Sequence, residues 1–191
     1  MALKKIKLEI LGLSSSQSQT GSFALVLGEA EGNRRLPIII GMFEAQAIAI
    51  EIEKIVPNRP MTHDLFKSFA NSFHFHVEEI VISDLKEGVF FAKIVCTDGL
   101  KKTEVDARPS DAIAVGLRFD APIFTFENIL AEAGIGGDIA RNAFGRCAHQ
   151  WLHRDVLLLQ RQSLQVSIAR IGCRRCDVDD QRRGGQCMDE H

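Results

Sequence analysis

Three observations predict a two-layer α+β fold with helices interspersed along a mostly antiparallel sheet. Apolar and polar residues alternate with the two-residue period of a half-buried strand near the N-terminus and again near the middle of the chain. Lys86-Glu87-Gly88 and Asp98-Gly99 are hairpin turn signals between successive strands of the central part. Segments with helical period and helix-start signals lie between the strands.

The first half of the chain predicts three strands and a helix. Lys4–Gly12 alternates as a half-buried strand, and a second strand is predicted over Phe23–Leu27. Leu36–Ile40 is wholly apolar, which predicts a strand buried on both faces. Helical period then runs over Met42–Ile55, and Pro57 ends that helix.

The second half predicts a helix, a three-stranded meander and two further helices. Thr62 is expected to cap a helix over His63–Phe73, which carries an apolar stripe of Leu65, Phe66, Phe69 and Phe73. The remaining elements are predicted as strands over His76–Ser83, Val89–Cys96 and Lys101–Val105, a helix over Pro109–Phe119, a short strand over Pro122–Thr125 and a helix over Glu127–Ala133.

A change of composition divides the chain into a domain at 1–135 and a tail at 136–191. The first part holds all nine Lys and one Cys, whereas the second holds no Lys, nine Arg and four Cys. The second part also lacks hydrophobic period. It is typical of a disordered tail, or of a stretch translated in a shifted frame.

The tail cysteines raise the question of a structural zinc site. Cys173 and Cys176 form a CxxC pair, and His149 and His153 lie upstream. Such a site usually needs two tight ligand pairs at fixed spacing. Because only one tight pair is present, the sequence disfavours zinc in the tail.

The net charge and the hydropathy of the chain limit where the protein is expected to be located and what it is expected to bind. The formal net charge is −2, so no global basic field attracts nucleic acid. No apolar run approaches the roughly 20 residues of a membrane span, and the N-terminus lacks the apolar core of a secretory signal. The sequence therefore predicts a cytoplasmic protein with no membrane partner.

The most informative segment runs from Asp106 to Val115, where a strand gives way to a helix. Helix N-termini favour anions, and the planar guanidinium of Arg108 suits phosphate, with Ser110 beside it. Asp106 and Asp111 are suited to holding a divalent metal or transferring a proton. Taken alone, Pro109-Ser110-Asp111 also fits ordinary helix initiation, with Arg108 in a local salt bridge.

Two other helix starts carry similar groups. His63 and Asp64 follow Arg59 at one start, and Glu44 lies in the first turn of another. His63 is a candidate acid or base, because its ordinary pKa is near neutral. The alternatives are a solvated histidine and carboxylates that complement the helix dipole.

Together these segments resemble the bifunctional nuclease domain family. The resemblance rests on Leu36-Pro37-Ile38-Ile39-Ile40-Gly41 with Glu44-Ala45, on Arg59-Pro60-Met61-Thr62-His63-Asp64-Leu65, and on Asp106-Ala107-Arg108-Pro109-Ser110-Asp111-Ala112-Ile113. It covers about residues 3–135 and implies an α+β fold, homodimers or larger rings, and nuclease activity on RNA and DNA. The tail does not resemble the acidic helical hairpin that often follows this domain.

Two functions are therefore expected to compete. In the first, the protein is a metal-assisted nuclease: Asp106 and Asp111 hold Mg²⁺ or Mn²⁺, with Glu44 or Asp64 assisting, His63 transfers a proton, and Arg108, Ser110 and Arg59 bind phosphate. In the second, the protein is a non-catalytic oligomeric module for ligand sensing or scaffolding. It binds a small anion or a partner protein through the same residues.

The division of the chain predicts that the tail adds no stability. Truncation after Ile135 should leave the melting temperature within about 2 °C, because the tail supplies almost no periodic apolar face. Calorimetry of the full and truncated chains measures this. A larger drop, or stoichiometric zinc in the full chain, would contradict it.

Overall fold

An eight-stranded sheet organises the part of the chain that the computed structural model describes, residues 4–15 and 21–136. The zinc ligands considered above and nearly all of the predicted tail lie outside these residues. The strands are β1 Lys5–Ser15, β2 Ser22–Glu29, β3 Arg34–Gly41, β4 His76–Lys86, β5 Val89–Thr97, β6 Lys102–Ala107, β7 Ile123–Phe126 and β8 Ile135–Gly136. The helices are α1 Met42–Ile52, α2 Thr62–Ser72, α3 Pro109–Arg118 and α4 Glu127–Ala133.

The strand order confirms the predicted α+β class. The sheet runs β6-β5-β4-β7-β1-β2-β3-β8, and every pairing is antiparallel except that of β4 with β7. The three-stranded meander is confirmed as β4, β5 and β6. The last strand pairs Ile135 with Arg35 and Gly136 with Arg34, so regular structure continues through Gly136.

Helix α3 lies against one face of this sheet at close range. Gly116 in α3 faces the fully buried Ile80 of β4, and a Cβ on Gly116 would lie 2.5 Å from Ile80 Cγ1. Ile80 pairs with Ile94, and Ile82 with Ala92, so these four apolar side chains share the helix-covered face. The opposite face carries ion pairs such as that between Lys93 and Glu104, 2.6 Å apart.

Strand β3 departs from the prediction that it is buried on both faces. Leu36, Ile38 and Ile40 are buried, but Ile39 is 59% exposed. Successive side chains point to opposite faces of a sheet, and only one face of β3 is covered by the core. The prediction was wrong because an apolar run without alternation does not reveal that one face is open.

Helix α2 differs from the prediction in its cap and in its apolar stripe. Met61, not Thr62, is the N-cap residue, and its backbone N–H donates to Asp64 Oδ2 at 2.8 Å. Ala70 is the buried residue of this helix, whereas Leu65, Phe66, Phe69 and the following Phe73 are exposed. The stripe therefore lies outside the core.

Within the described ranges, no helix combines the length and the apolar character needed to cross a bilayer.

The contact between α3 and β4 predicts a large effect of Gly116→Val. The added side chain would meet Ile80 inside a close-packed core, and overpacking of this kind costs about 1–3 kcal/mol of unfolding free energy. Urea denaturation measures the change. Gly136→Val is the matched control, because a Cβ there meets nothing within 4 Å. Equal stability of Gly116→Val and wild type would show that the helix can move away from the sheet.

Candidate functional site

Three helix starts meet on one surface of the domain. Helix α3 packs against both α1 and α2. Glu44 lies in the first turn of α1, His63 and Asp64 lie in that of α2, and Asp111 lies in that of α3, whose N-cap residue is Arg108. The sequence suggested that residues at these helix starts lie near one another, and these five residues do lie at helix starts that meet.

Arg108 joins the starts of α1 and α3. Its Nε and Nη2 donate to the two carboxylate oxygens of Asp111 at 2.7 and 3.1 Å, and its Nη1 donates to Glu44 Oε1 at 3.0 Å. The bond to Asp111 raises the pKa of Arg108, so the guanidinium stays charged. The side chain of Arg108 is still 65% exposed. These three groups form an exposed cluster with a formal charge of −1.

His63 lies at the edge of this cluster. Its Nε2 is 3.9 Å from Asp111 Oδ1, and its side chain is 19% exposed. Its Nδ1 is buried and has no hydrogen-bond partner among the described residues. Burial, followed by the positive charge of Arg118, lowers the pKa of His63, and the charge of Asp111 opposes that shift. The imidazole is therefore neutral near pH 7.

Asp64 has a structural partner, Arg118, at the end of α3. The side chain of Arg118 is 2% exposed, and its Nε donates to Asp64 Oδ1 at 2.5 Å. Its Nη1 donates to the carbonyl oxygen of Ala114 at 2.8 Å. Burial acts to raise the pKa of Asp64, but the hydrogen bonds from Arg118 and Met61 outweigh it and hold the pKa below its usual range. Asp64 is thus an ionised anchor for the first turn of α2.

Arg118 is the residue that sequence reasoning missed. It lies four residues after Ala114, on the buried side of a helix that is otherwise apolar there. A charge on the buried side of a helix requires a partner, and the only sequence signal was this position. The partner, Asp64, is 54 residues away along the chain, which no local pattern shows.

In the described part of the chain, the other three predicted residues form no hydrogen bond or ion pair with the cluster. Asp106 pairs with Lys93 across β6 and β5, which places its side chain on the sheet face opposite α3. Arg59 is exposed in the segment between α1 and α2. Ser110 is buried in the first turn of α3. The roles predicted for these three residues stay predictions.

The metal-binding role predicted for Asp106 and Asp111 stays a prediction. Asp106 and Asp111 belong to opposite sides of the sheet, and the described part of the chain holds no group of three or more His, Cys, Asp and Glu residues placed to bind a metal ion. Glu44 and Asp111, which flank Arg108, are the carboxylates that lie in the cluster. Two carboxylates suit Mg²⁺, which commonly completes its coordination with water and substrate phosphate.

The comparison with known families matches the segment that contains all of these residues. A model of the bifunctional nuclease domain matches residues 25–137, well over half of the chain. The chain belongs to the bifunctional nuclease domain family. Two proteins of Mycobacterium tuberculosis, from different strains and both described as uncharacterized, are each 40% identical to this chain over 129 residues. The alignment covers 68% of this chain and 76% of each relative.

The environment of His63 predicts how its protonation responds to Asp111. Because folding lowers the pKa of His63, the part of the unfolding free energy that is linked to this histidine is fully present above about pH 6.5. It is lost as the pH falls through the folded-state pKa of His63.

Asp111→Asn removes the negative charge that opposes this lowering, so the pKa of His63 should fall further. Titration of the imidazole protons by NMR measures this, with Glu104→Gln as the control. An unchanged or higher pKa would show that Asp111 does not act on His63.

Proposed function

We propose that this member of the bifunctional nuclease domain family hydrolyses phosphodiester bonds of RNA or DNA at the cluster of Glu44, His63, Arg108 and Asp111. One observation carries the proposal: an exposed arginine fork, a neutral histidine and two carboxylates meet on the surface where α1, α2 and α3 begin. A phosphodiesterase needs an anion binder and a proton acceptor near each other.

Arg108 supplies the phosphate contact. A guanidinium has five N–H donors, and three of those on Arg108 are engaged by Asp111 and Glu44. One N–H on each terminal nitrogen remains for phosphate oxygens. The two carboxylates fix the plane of the guanidinium, so the group is oriented before substrate binds.

His63 accepts the proton of the attacking water. Its pKa is lowered by burial and by Arg118, so the imidazole is neutral at neutral pH and one of its ring nitrogens can accept a proton. Asp111 Oδ1, 3.9 Å from Nε2, stabilises the imidazolium that then forms. Arg118 and Asp64 hold the first turn of α2, and with it His63, against α3.

The charge of the cluster supports a divalent cation as cofactor. Glu44, Asp111 and Arg108 together carry −1, which opposes a phosphodiester. Bound Mg²⁺ or Mn²⁺ would offset this repulsion and polarise a phosphoryl oxygen. Glu44 and Asp111 would hold it, with the substrate completing its coordination.

The same net charge favours the second candidate function, a non-catalytic ligand-sensing or scaffold module. Arg108 is already paired with two carboxylates, which is also the arrangement of a surface ion-pair network. Such a module would bind a small anion or a partner protein and release no product. Turnover of a labelled oligonucleotide distinguishes the two functions.

Self-association and a cytoplasmic location belong to this proposal as well. The family resemblance implies homodimers or larger rings. The edge strand β6 is exposed over Lys102–Asp106 and offers one place where a second copy could pair. Its charged side chains, however, are of the kind that protects sheet edges from pairing.

The role of Arg108 predicts a loss of cleavage without a loss of folding. Arg108→Ala should lower cleavage of a labelled single-stranded RNA or DNA at least about tenfold, because it removes charge-assisted hydrogen bonds to phosphate. Arg108→Lys should not restore activity, since an ammonium lacks the planar fork. Because the ion pair is exposed, the unfolding free energy should change by only about 0–1 kcal/mol.

Controls separate this prediction from metal dependence and from contamination. Lys93→Ala removes an exposed cation on the opposite sheet face and should leave cleavage unchanged. Chelation with EDTA should abolish cleavage, and Mg²⁺ or Mn²⁺ should restore it. Wild-type cleavage by Arg108→Ala would remove this residue from the site, and wild-type binding without any turnover would favour the scaffold function.

A further inference from the structure

The outward face of α2 is apolar, although the helix lies on the surface. Five large apolar side chains along it and just beyond its end are between 40% and 64% exposed. They are Leu65, Phe66, Phe69, Phe73 and Phe75. Single exposed apolar residues are ordinary, but a contiguous apolar patch marks an interaction site.

Among the described residues, the outward face of α2 itself carries no charged side chain, and the exposed His74 and His76 flank Phe75 beyond the end of the helix. Asp64 binds Arg118 Nε, and Lys67 donates to the carbonyl oxygen of Arg118, so both side chains turn towards α3. The exposed polar residues of α2 are neutral: Thr62, Ser68, Asn71 and Ser72. A surface of this kind does not fit nucleic acid, whose binding depends on cations that neutralise phosphates.

We propose that the outward face of α2 is the surface on which a second copy of this chain binds. Leu65, Phe69 and Phe73 follow one another at intervals of four residues and form one ridge along the helix. Such ridges pack against each other when two helices cross at about 50°. An uncharged apolar ridge is complementary to itself, as a two-fold interface requires.

The area is sufficient for the core of such an interface. At about 200 Å² for each large side chain, the five exposed fractions leave about 500 Å² of apolar surface on each copy. A stable interface covers about 800 Å² per partner, with a polar rim around an apolar core. The neutral polar residues of α2 supply part of that rim.

The alternative surface for self-association is less suitable. Strand β6 is an exposed edge of six residues that carries Lys102, Glu104 and Asp106. Charged side chains on an edge strand protect it from pairing with another chain, so β6 is less suited to self-association than the apolar face of α2. The inference rests on the self-association proposed above and names the surface that mediates it.

Replacement of Phe69 by lysine tests the surface. Sedimentation of the full chain over about 0.5–50 µM should show a dimer for wild type, and Phe69→Lys should raise the dimer dissociation constant at least about 30-fold. Leu65→Lys should act in the same direction. Leu100→Lys is the matched control, because Leu100 is 99% exposed in the turn between β5 and β6 and lies far from α2 in sequence. Circular dichroism and the melting temperature confirm that each variant is folded.

A photoreactive phenylalanine analogue at position 69 identifies the occupant directly. The crosslinked peptide should be residues 62–75 of a second copy. A monomeric wild type would overturn both self-association and this surface. A dimer that persists in Phe69→Lys and Leu65→Lys would overturn the surface alone. Crosslinks to residues 137–191 or to nucleic acid would show a different occupant and overturn the inference.

Discussion

The ion pair between the buried Arg118 and the half-buried Asp64 is the interaction on which the arrangement of this surface depends. It joins the last turn of α3 to the first turn of α2, and Arg118 is additionally bonded to the carbonyl oxygen of Ala114. Removing one partner of a buried pair leaves an uncompensated charge, which costs far more than losing an exposed pair. The pair therefore holds the first turn of α2, which carries His63, against the last turn of α3.

The same pair explains why α2 can expose its apolar face. A short amphipathic helix is usually held by burying its apolar stripe. Here Ala70 is the buried residue, and the helix is held instead by Asp64 and Lys67, both bonded to Arg118. Polar anchoring on the inner side leaves Leu65, Phe69 and Phe73 free for another surface.

The sequence predicted what local patterns encode. Alternation and turn signals located the meander of β4, β5 and β6, and Pro109 marked the start of α3. The sequence did not predict burial correctly where burial depends on tertiary packing, as at Ile39 and in the apolar stripe of α2. In the site, Glu44, His63, Arg108 and Asp111 were named and do converge, whereas Arg118 was missed because its partner is distant along the chain. Asp106 was grouped with Asp111 because the two lie five positions apart on either side of Arg108, but the pleat of β6 turns Asp106 to the other sheet face.

The position of β7 has a consequence for how the chain folds. Strands β1 to β3 and strands β4 to β6 each form from neighbouring segments, and β7 joins the two groups by pairing with β1 and β4. When β7 pairs with Lys5–Leu8, it closes a loop of more than a hundred residues, from Leu8 to Ile123. Closing this loop costs chain entropy before the new strand contacts can stabilise the fold. During synthesis the two meanders can form early, but the sheet cannot become continuous until Ile123–Phe126 has left the ribosome. Until then the inner edges of β1 and β4 are open to pairing with the wrong strand, so these four residues control the step at which the nascent chain is most vulnerable to aggregation.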